Sequence, residues 1–209
     1  SLRWVRPLQG ILCILIKDDE PRIIDFEIEG IKSKSVTTGH RFMAPKYFNI
    51  KNFEDYKRKL RDAFVILDHS ERAEIILNDA NNLAFANGLD LIDDPALLAE
   101  VSGLVEWPVV LLGDVDTAFF ELPAEVLQAS MKEHQKFFSL KNSKTGKIEK
   151  FITVANIETA DNGATILEGN QKVLYARLSD AKFFWENDLW LIQKDGLSVW
   201  SEKLKNVMF

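Results

Sequence analysis

Gln135-Lys136-Phe137-Phe138-Ser139-Leu140-Lys141-Asn142-Ser143-Lys144-Thr145-Gly146-Lys147-Ile148-Glu149-Lys150-Phe151-Ile152-Thr153-Val154-Ala155-Asn156-Ile157 reads as a β-hairpin. Two runs rich in aromatic and β-branched residues, Gln135–Leu140 and Ile148–Ile157, flank the polar turn Asn142–Gly146. Adjacent Phe137 and Phe138 must point to opposite faces of a strand, so at least one of them is core. Upstream, Pro123 opens a helix over Ala124–Lys132, and Trp107–Leu112 before it is a short, fully apolar strand. Downstream, Ile166, Val173, Leu174, Leu178, Ala181, Phe184 and Trp185 repeat at helical spacing. They predict a helix from about Thr165 to Leu189 that continues as charged amphipathic helix to Phe209.

The same reasoning reaches the N-terminal half. Gly10–Ile16 and Arg22–Glu29 read as strands joined by the polar link Lys17–Pro21. In the second strand Ile24, Phe26 and Ile28 alternate with acids, the pattern of a half-solvated strand. Asn52 caps an expected long helix from Phe53 to about Asp79, with Phe53, Tyr56, Leu60, Phe64 and Leu67 as its buried stripe. Pro95 opens a short helix to Val101 with Asp93 or Asp94 as cap, and Gly103 closes it. Strands and helices mix without strict βαβ alternation. The class is therefore α+β, a mixed or antiparallel sheet with packed helices. The 209 residues form a single domain in this reading, with 165–209 as a C-terminal helical segment leading onward. Ser1 in place of Met adds the expectation that the chain is a piece of something longer.

Composition removes several functional classes. With 46% hydrophobic and 28% charged residues the chain is globular, and its apolar runs fall far short of the ~20 residues that span a bilayer. The one cysteine, Cys13, excludes a disulfide framework and reads as a buried structural thiol. His40, His69 and His134 stand far apart, without metal-ligand spacing. Asp114-Val115-Asp116 is a lone pair of carboxylates, better explained as a loop rim than as a magnesium site. There is no glycine-rich phosphate loop and no nucleophile elbow, so the sequence does not advertise a self-contained enzyme.

Charge is distributed unevenly. The net charge is −6, yet residues 31–50 carry Lys32, Lys34, Arg41 and Lys46 and no acid. Residues 132–150 carry six lysines against Glu133 and Glu149. Two +4 windows thus sit on a −14 remainder. Either a polyanion meets one face, or the lysines solubilise a hairpin and guard its edges. Basic and aromatic residues interleave in Met131–Phe138 and in the group Arg3, Trp4 and Arg6. Cations hold phosphates, aromatics stack on unpaired bases, and Gln or His reads base edges.

Several blocks, in order, resemble one family, the β subunit of the bacterial heterotetrameric (α2β2) glycyl-tRNA synthetase. They are Val5-Arg6-Pro7, Gly39-His40-Arg41-Phe42, Leu104–Val110, Met131–Phe138, Phe151–Glu158, Gly169-Asn170 and Arg177–Trp185. The resemblance implies ATP-dependent attachment of glycine to its tRNA in the cytoplasm, with no DNA and no membrane involved. It also implies that the α subunit carries the class II catalytic site and uses ATP with magnesium. The β subunit is then needed for charging and contributes tRNA binding. This chain would bind no cofactor and be inactive alone, and would lack the family's N-terminal segment, HD-type region and anticodon-binding region. It is similar in kind to the editing-like domain of the phenylalanyl-tRNA synthetase β subunit, an analogy of fold only. Glycine has no side chain for an editing pocket to sort. On the resemblance, Arg41, Lys132, His134, Lys136, Lys141 and Arg177 are candidates for tRNA contact. Trp107 and Pro108 are expected as core at a strand start. Asp180 and Phe184 are expected to fix the last helix through an internal Arg177–Asp180 pair. The alternative is a scaffold that braces α and β and never touches RNA.

Overall fold

The computed structural model describes residues 8–18 and 20–198, together with 201, 204 and 205. Arg3, Trp4, Arg6, the Val5–Pro7 block and the end of the expected tail helix lie outside the described residues.

The N-terminal part is built from short ribbons. β1 (Ile11–Leu12), β4 (Glu27–Ile28) and β5 (Ile31–Lys34) form one small mixed sheet, with β1 parallel and β4 antiparallel to the central β5. β2 (Ile14–Lys17) pairs with β3 (Glu20–Ile23), and β6 (Val36–Thr38) pairs with β7 (Tyr47–Asn49). The expected strand Arg22–Glu29 is therefore two strands with a break. Its apolar side is not covered either, because Ile24 and Phe26 are exposed. Cys13 is half-buried between β1 and β2.

The expected long helix divides into α1 (Phe53–Asp62) and α2 (His69–Ala86). The reason is a left-handed residue. Phe64 has φ 59°, its N–H donates to Arg61 O, and the Val65 N–H donates to Leu60 O at 2.8 Å. That is the paired C-terminal closure usually supplied by glycine. Asp68 then caps α2 through the Ser70 N–H. Of the predicted stripe only Leu60 is fully buried, while Phe53 and Leu67 are exposed.

The main sheet follows. β8 (Asp90–Leu91) is an edge strand that the sequence reading lacked, and α3 (Pro95–Leu104) follows, capped by Asp94. Gly103 lies inside α3 rather than closing it. β9 (Val109–Asp114) begins two residues later than expected, with buried Pro108 and half-buried Trp107 leading into it. A 3₁₀ turn at Thr117–Phe119 precedes α4 (Ala124–Gln135). β10 (Phe138–Lys141) and β11 (Ile148–Ala155) form the hairpin, and α5 (Ala164–Asp195) is one continuous helix of 32 residues. The sheet order is β8-β10-β11-β9, antiparallel throughout. The protein is thus an α+β fold.

Two cores occupy the two faces of this sheet. Ile76, Ala80, Ala84, Leu97 and Val101 of α2 and α3 meet Phe138, Leu140 and Ile152 on one face. On the other, Leu127 and Met131 of α4 and Leu174 and Leu178 of α5 meet Phe137, Ile148 and Phe151. Phe137 and Phe138 are both core, one on each side. The Phe137 ring stacks on Phe151 at 4.6 Å. Phe151 in turn lies over Gly113, its ladder partner, where a Cβ would fall 2.2 Å from the ring. Gly113 therefore makes room for an aromatic stack in the middle of a strand.

Candidate nucleic-acid interface

Gly39-His40-Arg41-Phe42 forms a turn that is buried at one end and exposed at the other. Gly39 lies flat against the end of α1, where a Cβ would stand 2.3 Å from the Ala63 Cβ. The His40 N–H donates to Ala63 O at 2.8 Å, and the ring is 2% exposed. Its Nδ1 accepts the N–H groups of Phe42 (3.3 Å) and Met43 (3.2 Å), so the imidazole ties the turn from inside. The consequence is outward. Arg41 is exposed, Phe42 is 69% exposed, and the Arg41 guanidinium sits 5.4 Å from the Phe42 ring centroid.

A cleft of about 640 Å³ opens beside this turn, with Gln9, Arg72, Leu104, Glu106 and Asn156 among its walls. Arg72 donates to the carbonyls of Ser102 (2.9 Å), Leu67 (3.0 Å) and Ile66. Among the described residues no carboxylate lies within 4.0 Å of it, so its charge is held but not neutralised. Asn156 Oδ1 accepts the N–H groups of Glu106 (2.7 Å) and Trp107 (2.9 Å), which fixes the chain between α3 and β9. Trp107 Nε1–H donates to Glu158 at 2.7 Å, and its ring meets Phe64 edge-on at 5.3 Å. The Glu158 N–H reaches Met43 Sδ at 3.4 Å. Three blocks far apart in sequence, around 39–43, 104–108 and 156–158, thus converge at one rim.

The second basic window behaves differently. Lys132 pairs with Asp94 at 2.6 Å and Lys136 with Glu100 at 3.0 Å, tying α4 to α3. The bond to Lys132 is the main cause of a lowered Asp94 carboxyl pKa, and the same bond raises the Lys132 ammonium. Lys147 pairs with Glu121 at 3.1 Å, and Lys150 with Asp114. The partner of Lys150 is one half of the Asp114/Asp116 pair. Asp116 caps the 3₁₀ turn through the Ala118 N–H, so both carboxylates are engaged structurally. His134 and Lys141 are exposed.

The expected Arg177–Asp180 pair does not form. Both residues are exposed, and among the described residues neither has an oppositely charged partner within 4.0 Å. They lie on the outer side of α5, while Leu174, Leu178 and Trp185 face the core and fix the helix. Phe184 is exposed too, edge-on to Phe183 at 5.7 Å. Sequence reasoning passed over Gln9, Phe42, Tyr47 and Arg72. The acid-free window 31–50 was the available signal for Phe42 and Tyr47; Gln9 and Arg72 come from distant segments with no local signal.

Fold and rim together define an α+β domain with a cationic, aromatic edge and an acidic remainder. The sequence model of the family "Glycyl-tRNA synthetase beta subunit" matches residues 1–209. A glycine–tRNA ligase beta subunit of Ruegeria sp. (strain TM1040) is 62% identical over 210 residues, which cover all of this chain and 31% of that protein. Beta subunits from Dinoroseobacter shibae and Paracoccus denitrificans are 58% and 57% identical over 209 residues, 29% and 30% of their lengths. The chain belongs to the glycyl-tRNA synthetase beta subunit family. It spans about 30% of the length of the curated relatives it matches.

Proposed function

We propose that this domain serves a glycine–tRNA ligase by contacting tRNA, while a partner α subunit performs the ATP- and magnesium-dependent activation of glycine. Family membership supports the reaction class. The observation that carries the RNA contact is the contrast between the two basic windows. Arg41 is held outward and among the described residues has no carboxylate within 4.0 Å, whereas Lys132 and Lys136 spend their charge on Asp94 and Glu100. A phosphate contact therefore costs Arg41 no broken ion pair. At Lys132 it would strip a partner from the carboxylate that caps α3.

The test uses the assembled enzyme. Arg41→Ala is expected to raise KM for tRNA about tenfold or more, as loss of a charge-assisted hydrogen bond should. It should also reduce the salt slope of binding by about one. Glycine-dependent ATP–pyrophosphate exchange should be unchanged. If Lys132→Ala weakens tRNA binding and Arg41→Ala does not, the assignment is wrong. A bracing role is favoured by a separate observation, the exposed Phe183, Phe184 and Trp190 on α5. It predicts that Phe184→Ser loosens subunit association and leaves tRNA affinity intact.

A further inference from the structure

We propose that the surface running from Tyr47 to Phe42 is a trough for an unpaired stretch of RNA strand, with the two rings as stacking platforms. This rests on the tRNA-contact reading and specifies the form of nucleic acid the site takes.

The cleft beside Phe42 is not isolated. A second depression, of about 710 Å³, is lined by Lys32, Lys34, Val36 and Tyr47. Gln9 lines both, so the two adjoin at that residue. Lys32 and Lys34 share one face of β5, about 7 Å apart along the strand. Ser33 between them turns inward, its hydroxyl donating to Ile24 O. Tyr47 is 78% exposed. Among the described residues no carboxylate comes within 4.0 Å of Lys32, Lys34, Arg41 or Lys46, although Glu27 stands opposite Lys32 in the ladder.

The chemistry selects the ligand. Cations on the rim at both ends suit a phosphate chain. Each aromatic ring offers a face to a base, and that face is useful only to a base already unstacked, because paired bases in a duplex have theirs occupied. Where the walls carry a carboxylate, Glu106, they suit the exocyclic amines of base edges rather than phosphate. A duplex would use the lysines and leave both rings in water.

The experiment measures tRNA affinity and base protection with the assembled α2β2 enzyme and a glycine tRNA transcript. Base-selective chemical probing supplies the protection pattern. Phe42→Leu and Tyr47→Leu are each expected to weaken binding about 5- to 150-fold, the range for one lost base–aromatic stack. Phe42→Trp should restore it. Protection of a run of unpaired bases should vanish in the double Leu variant, with glycyl-adenylate formation unchanged. Both side chains are surface-exposed, so folding is not at stake, and circular dichroism checks it. If the Leu variants bind like the parent while Arg41→Ala still weakens binding, the trough is wrong and the tRNA contact stands. If Arg41→Ala is also silent, both fall. If the Leu variants lower α–β association while the assembled enzyme keeps its tRNA affinity, the surface is a protein interface and the trough is overturned. Protection confined to paired nucleotides overturns it as well.

Discussion

Gly39→Ala would place a methyl carbon 2.3 Å from the Ala63 Cβ and 2.6 Å from the Ala63 carbonyl oxygen. Neither neighbour is the end of a flexible side chain, so the backbone must move. The same carbonyl accepts the His40 N–H at 2.8 Å, and that bond goes with the movement. Overpacking of this kind costs about 1–3 kcal/mol, and a lost hydrogen bond adds about 1 kcal/mol. The expected destabilisation is therefore about 3 kcal/mol, a fall in Tm of about 6–12 °C for a chain of this size. A domain with about 5–15 kcal/mol in hand stays folded at room temperature, so the variant can be measured. Gly169→Ala is the paired control. Gly169 lies inside α5 with nothing within 4 Å of an added Cβ, so alanine there should stabilise by up to about 1 kcal/mol. Urea unfolding of parent, Gly39→Ala and Gly169→Ala reads both signs in one series. A Gly39→Ala variant within about 0.5 kcal/mol of the parent would show that the turn is not wedged against α1. The account of how Arg41 and Phe42 are presented would fall with it.

Two further outcomes follow from the ion pairs and caps. Asp94→Ala removes both the α3 cap and the Lys132 partner, and should cost about 1 kcal/mol or somewhat more by thermal unfolding. Lys132→Ala should cost less, since the cap survives, and the reverse order would refute the assignment. The Asp55 carboxyl is lowered from 3.8 to about 2, chiefly by its bond from Lys59, with the Lys51 N–H and Arg58 adding to it. A depressed folded-state pKa gives stability that is present above the unfolded value and lost as pH falls through the folded one. Its contribution is thus complete above about pH 4 and disappears towards pH 2. Side-chain ¹³C titration should find Asp55 still ionised at pH 3. Asp161, held low by the hydroxyls of Thr159 and Thr165, should be ionised as well, and midpoints near 3.8 would refute both.

The hairpin was legible because its signals are local. Asn142 folds the turn on itself, its backbone accepting the Gly146 N–H and its side chain the Lys144 N–H, and the β-branched runs do the rest. The α1–α2 break was not legible. Its left-handed residue is phenylalanine, and a pattern reader expects glycine there. β8 was missed because two residues carry no periodicity; its place comes from pairing Leu91 with Leu140, about fifty residues away. The ion pairs of the basic window 132–150 were not legible for a related reason. A count of lysines along the chain cannot see Asp94 and Glu100 arriving from α3 to neutralise two of them. Arg41 was found through a motif, but its presentation depends on Gly39 and His40, whose roles exist only once Ala63 is beside them. The Arg177–Asp180 spacing was correct for a shared helical side. That side faces solvent, where a pair of long side chains has little reason to hold one geometry.

The length of α5 has a mechanical consequence. At about 1.5 Å per residue its 32 residues extend about 48 Å, yet among the described residues the last one of the helix packed into the sheet cores is Trp185. The ten residues beyond, about 15 Å of helix, extend past the sheet cores, with Leu191 and Ile192 half-buried and Trp190 exposed. A stretch this short gains little from helix propensity alone, so its amides are expected to open by local fraying sooner than those around the buried Leu174 and Leu178. Stiffness thus falls along a single unbroken helix. Anything that grips the aromatic rings at its far end is coupled to the sheet only as firmly as those last turns stay wound.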